Sequence, residues 1–274
     1  MDSAANQDYL NMHKEIINEV AKLSEKVTFA GLELDDSFLQ AQIKEHNPMS
    51  SVIDFPIDSK LFLSHLDEVI AIVEKHQPHL KDSLDDINAS FKSLEDLSPL
   101  IEATKATNYF YFEELAKKHK LNTAILQFIV EMAYRPFVKA FSKLINSKVK
   151  FDEYGGNTCP VCGETVRILR TADEGKREAC CTRCDTVWEV KRLQCPHCKN
   201  NNHEKLRFLT ADASESKKLY VCEECKGYVK LVDTKDQLGK PSFFLIDLET
   251  IYLDMIAVQQ GYEGPKEVDS KKIQ

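Results

Sequence analysis

The chain has 274 residues and a formal net charge of −8, of which about −6 falls in residues 1–150. A mildly acidic chain without a basic tail is a poor match for a general nucleic-acid binder. The length allows two domains. No apolar run approaches the roughly 20 residues needed to cross a bilayer, and the opening Met1-Asp2-Ser3-Ala4 lacks the basic patch and apolar run of a secretory signal.

Residues 1–150 hold no cysteine and a single glycine, Gly31, which predicts a helical domain over 1–150 built from six or seven helices. Asp58 or Ser59 is placed to cap a helix over 58–76, with Phe62, Leu66, Val69, Ile70 and Val73 on one face. A more polar version follows over 82–96, striped by Leu84, Ile87, Phe91 and Leu94. Amphipathic segments come next over 109–119 and 122–147. The second carries Ile125, Phe128, Ile129 and Met132, then Pro136, which removes a backbone donor and is expected to kink the helix. Asn47-Pro48 and Gln77-Pro78 read as breaks between helices.

Composition changes beyond the Gly155-Gly156-Asn157 linker. All nine cysteines lie between residues 159 and 225, and eight form four C-x-x-C pairs: Cys159/Cys162, Cys181/Cys184, Cys195/Cys198 and Cys222/Cys225. Eighteen residues separate the first two pairs and 23 the last two. One such pair is weak evidence of anything, but four in close succession are what two tetrahedral four-sulfur metal sites need, each drawing sulfurs to about 2.3 Å from one ion. Thiolate sets of this kind suit zinc and iron equally, so the ion stays open at this level. Paired thiols in a chain without an export signal read as reduced metal ligands and not as disulfides, which implies the cytoplasm.

The region also repeats. Cys159-Pro160-Val161-Cys162 is followed by Arg167-Ile168-Leu169 and then by Cys181; Cys195-Pro196-His197-Cys198 is followed by Arg207-Phe208-Leu209 and then by Cys222. Each copy therefore reads as knuckle, strand, turn, strand, knuckle, strand, with turns at 173–176 and 213–216. The duplication favours ligation within each copy, although a cross-braced set linking first to third and second to fourth pairs is also compatible with the spacing.

Other residues here have bland readings that outweigh the sharp ones. Cys180 aligns with Val221 and reads as a small inward hydrophobe instead of a ninth ligand. His197, flanked by two cysteines, reads as an exposed knuckle residue, and Trp188 as a packing residue near a metal site. Arg167, Arg170, Lys176, Arg177, Arg183, Lys191, Arg192, Arg207, Lys217 and Lys218 read as a solvated face balanced by neighbouring acids, against a nucleic-acid surface. A helix over about 247–260, opened by Asp247 and closed by Gly261, precedes a polar tail expected to be disordered.

Nothing resembles a phosphate loop, a nucleophile elbow or an H-E-x-x-H motif. A site saturated by four sulfurs also has no open position for an activated water. A thiol oxidoreductase would carry one C-x-x-C on a βαβ frame, not four on a ribbon. The expectation is a non-catalytic protein.

The run Cys181-Thr182-Arg183-Cys184-Asp185-Thr186-Val187-Trp188, continuing through Arg192 to Cys195-Pro196-His197-Cys198, resembles the formate dehydrogenase accessory protein FdhE family. So do the first knuckle with Gly163, Tyr220 through Lys230 around the fourth, Asp247 through Tyr262, and Tyr134-Arg135-Pro136-Phe137 upstream. The resemblance covers about 122–265. Departures are Glu164-Thr165 after the first knuckle, and Asp185 and Lys199 where glycine is common.

The resemblance implies an α+β protein: an N-terminal all-α helical domain (1–150), two tandem rubredoxin-like or zinc-ribbon-like metal-binding modules (155–193 and 194–235), a C-terminal helix (243–262) and a tail (263–274). It implies a cytoplasmic accessory factor for the biogenesis of active formate dehydrogenase. Such a factor would bind the catalytic subunit through the four-C-x-x-C region, with iron in two tetrahedral four-cysteine sites and zinc as the alternative metal. The alternative function is a zinc-ribbon nucleic-acid-binding protein.

Overall fold

A computed structural model describes residues 3–152, 154–172, 175–210, 216–234 and 242–264. The chain forms two compact units, and the division is not a single cut: residues 1–32 and 54–141 make the first, and residues 33–53 and 142–274 the second.

The first unit is helical. It comprises α1 (Ser3–Ser24), α4 (Ser59–His76), α5 (Lys81–Lys92), α6 (Ser98–Lys105), α7 (Tyr109–His119) and most of α8 (Thr123–Lys148), whose last turns belong to the second unit. The short α2 (Asp36–Glu45) and α3 (Met49–Val52) lie in the excursion that joins the second unit. The chain thus has more helices before residue 150 than the six or seven expected. The four-residue α3 and the eight-residue α6 are too short to leave a periodic stripe.

Asp58, not Ser59, caps α4, its side chain accepting from Leu61 N–H at 2.7 Å. Phe62, Leu66, Val69, Ile70 and Val73 are all buried along that helix, as are Leu84, Ile87 and Phe91 on α5. Residues 132–142 of α8 are buried without interruption, so this helix is central and not amphipathic there; it continues through Pro136. Phe55 stacks on Phe141 with ring centroids 4.2 Å apart, and Phe29 meets Phe55 edge-on at 5.5 Å.

The second unit is built on one six-stranded sheet. Its strands are β1 (Ile168–Thr171), β2 (Arg177–Cys180), β3 (Val187–Glu189), β4 (Leu206–Leu209), β5 (Lys217–Cys222) and β6 (Tyr228–Asp233), in the order β3-β2-β1-β6-β5-β4. Each copy of the repeat forms its three strands antiparallel, as expected. The copies then join through a parallel β1–β6 pairing, with Ile168 opposite Lys230. The turns expected at 173–176 and 213–216 fall largely outside the described residues.

Two helices cover one face of the sheet: α9 (Phe243–Glu249) and α10 (Ile251–Gln259). The single helix expected over about 247–260 or, by the resemblance, over 243–262 is two, and the first starts at Phe243, with Ser242 accepting from Leu245 N–H. The break falls at Thr250, whose hydroxyl donates to Ile246 O at 2.6 Å and competes with the backbone ladder. The tail expected to be disordered starts in an ordered pairing, since Glu263 N–H donates to Lys226 O at 2.7 Å; residues 265–274 lie outside the described residues.

Under these helices the sheet presents Cys180, Ile168, Lys230 and Leu219 as one cross-strand row. Three are apolar and the fourth is a lysine only 2% exposed. Its Nζ lies 2.7 Å from Asp247 Oδ1 and 2.6 Å from Asp254 Oδ2, and donates to Asp247 O at 2.8 Å. Tyr228 donates to Asp254 Oδ1 at 2.9 Å. Burial, with Asp254 beside it, pushes the Tyr228 phenol well above its ordinary range, so it stays a donor. This buried network ties α9 and α10 to β6. Removing one partner of such a group typically costs about 3–5 kcal/mol. Lys230→Ala is accordingly expected to lower the unfolding free energy obtained from urea titration by that order, while Lys226→Ala, at an exposed lysine, leaves it within about 0.5 kcal/mol.

The helical unit has its own pH dependence. Burial holds the His65 imidazole down to about 4, and burial together with Arg135 does the same for His13. A histidine lowered in the folded state contributes stability that is complete above its ordinary value near 6.5 and is lost as pH falls through about 4. His76 has the opposite sign, because Glu15 and Asp8 hold its pKa up. Its contribution is present below about 6.5 and lost as pH rises through its raised value, but it lies near the surface and is screened. Urea titrations followed by helical circular dichroism are expected to show a falling midpoint from pH 6.5 to 4. In the His13→Leu/His65→Phe variant that slope is expected to flatten.

Candidate metal centres

Four turns of one design carry the eight cysteines. In each, the N–H of the first cysteine donates to the carbonyl five residues on: Cys159 to Glu164 at 2.7 Å, Cys181 to Thr186 at 2.9 Å, Cys195 to Asn200 at 2.8 Å and Cys222 to Gly227 at 3.0 Å. The residue after the second cysteine is left-handed every time, at Gly163 (φ 76°), Asp185 (61°), Lys199 (63°) and Lys226 (57°). Only the first knuckle uses the residue for which that conformation is free of strain. The departures from glycine noted in the sequence are thus absorbed by the backbone, and the knuckle shape is kept.

The turns bring the sulfurs together in two sets, Cys159, Cys162, Cys181 and Cys184, and Cys195, Cys198, Cys222 and Cys225. Within each set the four sulfurs lie within 4.8 Å of one another, so they group within copies and not in the cross-braced arrangement. Sulfur–sulfur separations are 3.5 Å for Cys159–Cys184 and Cys162–Cys181, 3.8 Å for Cys195–Cys225 and 3.7 Å for Cys198–Cys222. A tetrahedron with metal–sulfur bonds of about 2.3 Å has edges of about 3.8 Å, whereas a disulfide would need about 2.05 Å. All nine cysteines are free thiols. The donor set fits a divalent thiophilic ion at each position.

Electrostatics of the bare sulfurs point the same way. Burial pushes the Cys159, Cys162 and Cys181 thiols well above their ordinary range. Burial also acts against ionisation of Cys184, but hydrogen bonds from its three neighbours and from Thr186 outweigh it, and its pKa ends well below normal. In the second set, burial raises Cys195 strongly and Cys225 to about 11. Cys222 falls to about 7, because backbone N–H groups of residues 224 and 225, with Asn200, override its burial. Cys184 and Cys222 thus ionise readily while Cys159, Cys162, Cys181, Cys195 and Cys225 resist, a conflict that a cation at the centre of each set removes.

Secondary contacts differ between the sets. Cys181 Sγ accepts from the N–H groups of Arg183 and Cys184 at 3.4 Å each. Thr186 Oγ1 lies 3.1 Å from Cys184 Sγ and 2.8 Å from Ser142 Oγ, a hydroxyl pair that no sequence motif announced. At the second set, Asn200 donates to Cys222 Sγ at 3.6 Å and Gly227 N–H to Cys225 Sγ at 3.4 Å.

The remaining expectations can be placed. Cys180 is buried in an apolar cluster with Ile168, Val232, Phe243 and Ile246, as a small hydrophobe, and burial raises its thiol strongly. Trp188 is buried on β3, edge-on to Tyr154 with centroids 6.5 Å apart. His197 departs from expectation: it is half-buried, and its Nε2 lies 3.0 Å from Val166 O, so the third knuckle is pinned to the first copy. Burial lowers its pKa. Asn157 Nδ2 donates to His197 O at 3.3 Å and Lys199 Nζ to Gly156 O at 2.6 Å, completing that seam. The basic residues are mostly engaged: Arg170 with Glu178 at 2.6 Å, Lys176 with Glu189 at 3.4 Å, Arg207 with Glu223, and Arg177 over the Tyr220 ring at 4.9 Å. The Lys230–Asp247–Asp254 network was missed, although a lysine alternating with Tyr228 and Val232 on an apolar strand was its signal.

Fold and sites together define a class: a helical unit followed by a duplicated ribbon whose four-cysteine groups can hold two metal ions. No family model matches the chain. Among curated proteins it is 25% identical over 195 residues to the "Protein FdhE homolog" of Haemophilus influenzae, covering 67% of this chain and 63% of that one. It is 28% identical over 177 residues to Protein FdhE of Escherichia coli, covering 54% and 56%. The similarity thus spans somewhat over half of these relatives' length. Among solved structures, the crystal structure of the FdhE protein from Pseudomonas aeruginosa has the same fold, with a TM-score of 0.61 and 17% identity, over 96% of this chain and 93% of that one. The resemblance to the FdhE family read from the knuckles is borne out. Among the described residues no helix is long and apolar enough to cross a membrane.

Gly227 provides a test of the second set. A Cβ there would meet His197 Nδ1 at 2.7 Å and Cys225 Sγ at 3.2 Å. Gly227→Ala is expected to leave one tightly held ion per chain and reduce the affinity of the other at least tenfold, measured by metal content after dialysis.

Proposed function

We propose that the protein is a non-catalytic accessory factor in the biogenesis of active formate dehydrogenase, acting in the cytoplasm by binding the enzyme's catalytic subunit. In this reading Cys159, Cys162, Cys181 and Cys184 hold one ion, and Cys195, Cys198, Cys222 and Cys225 the second. Iron is the first choice and zinc the alternative. The ions supply rigidity: with every position on each filled by sulfur, they hold the ribbon as a docking platform and leave no coordination site for substrate.

The observation that carries the reading is the pair of four-cysteine groups on a fold shared with FdhE proteins. Free thiols throughout fit a reducing compartment. On α10, Ile251, Tyr252, Met255 and Val258 are exposed along one side, an apolar surface of the kind a partner covers. The nucleic-acid alternative is weakened by the pairing of the ribbon's arginines with acids and aromatic rings.

Deletion of the protein's gene is expected to abolish formate-dependent dye reduction in its host, with restoration by the intact chain. Tagged protein is expected to capture a formate dehydrogenase catalytic subunit. Undiminished formate oxidation in the deletion strain would overturn the proposal.

A further inference from the structure

The two four-cysteine sets have the same ligands and similar sulfur spacing, but their surroundings differ. All four cysteines of the first set are buried. In the second set Cys195 and Cys222 are buried, Cys225 is partly exposed and Cys198 is exposed. Since the knuckles are built alike, the difference comes from what packs over them.

The first knuckle is covered by a segment more than a hundred residues upstream. Pro160 O and Val161 O accept from Met49 N–H at 2.9 Å and Ser50 N–H at 2.8 Å, and Pro48 lies 3.4 Å from where a Cβ on Gly163 would be. Behind the second knuckle stand Thr186 and Ser142. The third knuckle is held by His197, Asn157 and Lys199, while Cys198 remains an exposed residue whose Sγ lies 3.7 Å from that of Cys222. Residues 262–263 run beside the fourth knuckle, with Glu263 N–H donating to Lys226 O at 2.7 Å, yet Cys225 stays partly exposed and Cys198 exposed among the described residues.

Ligand exchange at a four-sulfur ion needs an incoming donor to approach before a bound sulfur departs. Burial blocks that approach, and an exposed sulfur permits it. From this asymmetry we propose that the two centres have different roles: the first keeps a permanent ion, and the second is an exchange site where a thiophilic divalent ion enters, leaves and is reached by small thiols through the edge formed by Cys198 and Cys225. The inference rests on the reading that both sets bind metal. In the exchange step an outside thiol binds the ion as its thiolate, the bond to Cys198 breaks, and the proton released by the thiol passes to the Cys198 sulfur. Ligand number and charge are unchanged and no electron moves. A second thiol, or a chelator, can then complete removal of the ion while the first centre keeps the ribbon folded.

The test uses the full chain loaded with zinc, a chromophoric chelator in excess, and 2-mercaptoethanol as the thiol probe. Release is expected in two phases of one ion each, separated at least tenfold in rate, with only the fast phase accelerated by the thiol. Iodoacetamide added after the fast phase is expected to label Cys198 and Cys225 and to spare Cys159, Cys162, Cys181 and Cys184. Cys198→Ala is expected to stay folded by circular dichroism, hold one ion and show only the slow phase. Release of both ions in a single phase, first labelling within the 159–184 set, or unfolding of Cys198→Ala would each overturn the proposal while leaving metal binding intact. A chain that takes up no ion would overturn the metal reading itself, and this inference with it.

Discussion

Sulfur crowding is the constraint on which the second unit depends. Each set gathers four thiol groups within 4.8 Å, a distance at which they cannot all ionise in one another's company without a compensating charge. The ribbon strands between them are three to six residues long and could not form an independent core. A cation shared by two knuckles would close each hairpin at its base, so that short strands are held in register by ligands as well as by the ladder.

The sheet then supplies what the individual ribbons lack. The parallel β1–β6 pairing makes one surface out of two copies and lets a single pair of helices cover the row from Cys180 to Leu219. Placing Lys230 in that row is unfavourable taken alone. It is tolerated because two carboxylates and a carbonyl surround the ammonium group, and the same contacts set where α9 and α10 lie. A buried charge therefore acts here as a locator for helices whose apolar residues could otherwise slide on the sheet.

Much of this was legible from the chain. The stripe of Phe62, Leu66, Val69, Ile70 and Val73 identified α4 because burial of one helical face leaves a 3.6-residue period. The eight cysteine positions and their grouping by copy could be read because knuckle geometry is local and the duplication is visible. Reading failed where distant residues decide the environment. His197 looked exposed because its partner, Val166 O, is 31 positions away. The C-terminal helix looked continuous because Thr250 breaks it through its own side chain, while Asp247, which resembled a cap, is drawn to Lys230.

The amino-acid sequence by itself determined the helical and ribbon regions, the four knuckles and the donor set, since each follows from residue types at short spacings. Tertiary structure alone decided that residues 33–53 join the ribbon unit, that two ribbons make one sheet, and that one four-cysteine set is buried while, among the described residues, Cys198 of its duplicate is exposed. The physical reason is that enclosure belongs to whatever packs against a turn. For the first knuckle that covering comes from residues 48–50, more than a hundred positions upstream, which no local pattern around Cys159 can foretell.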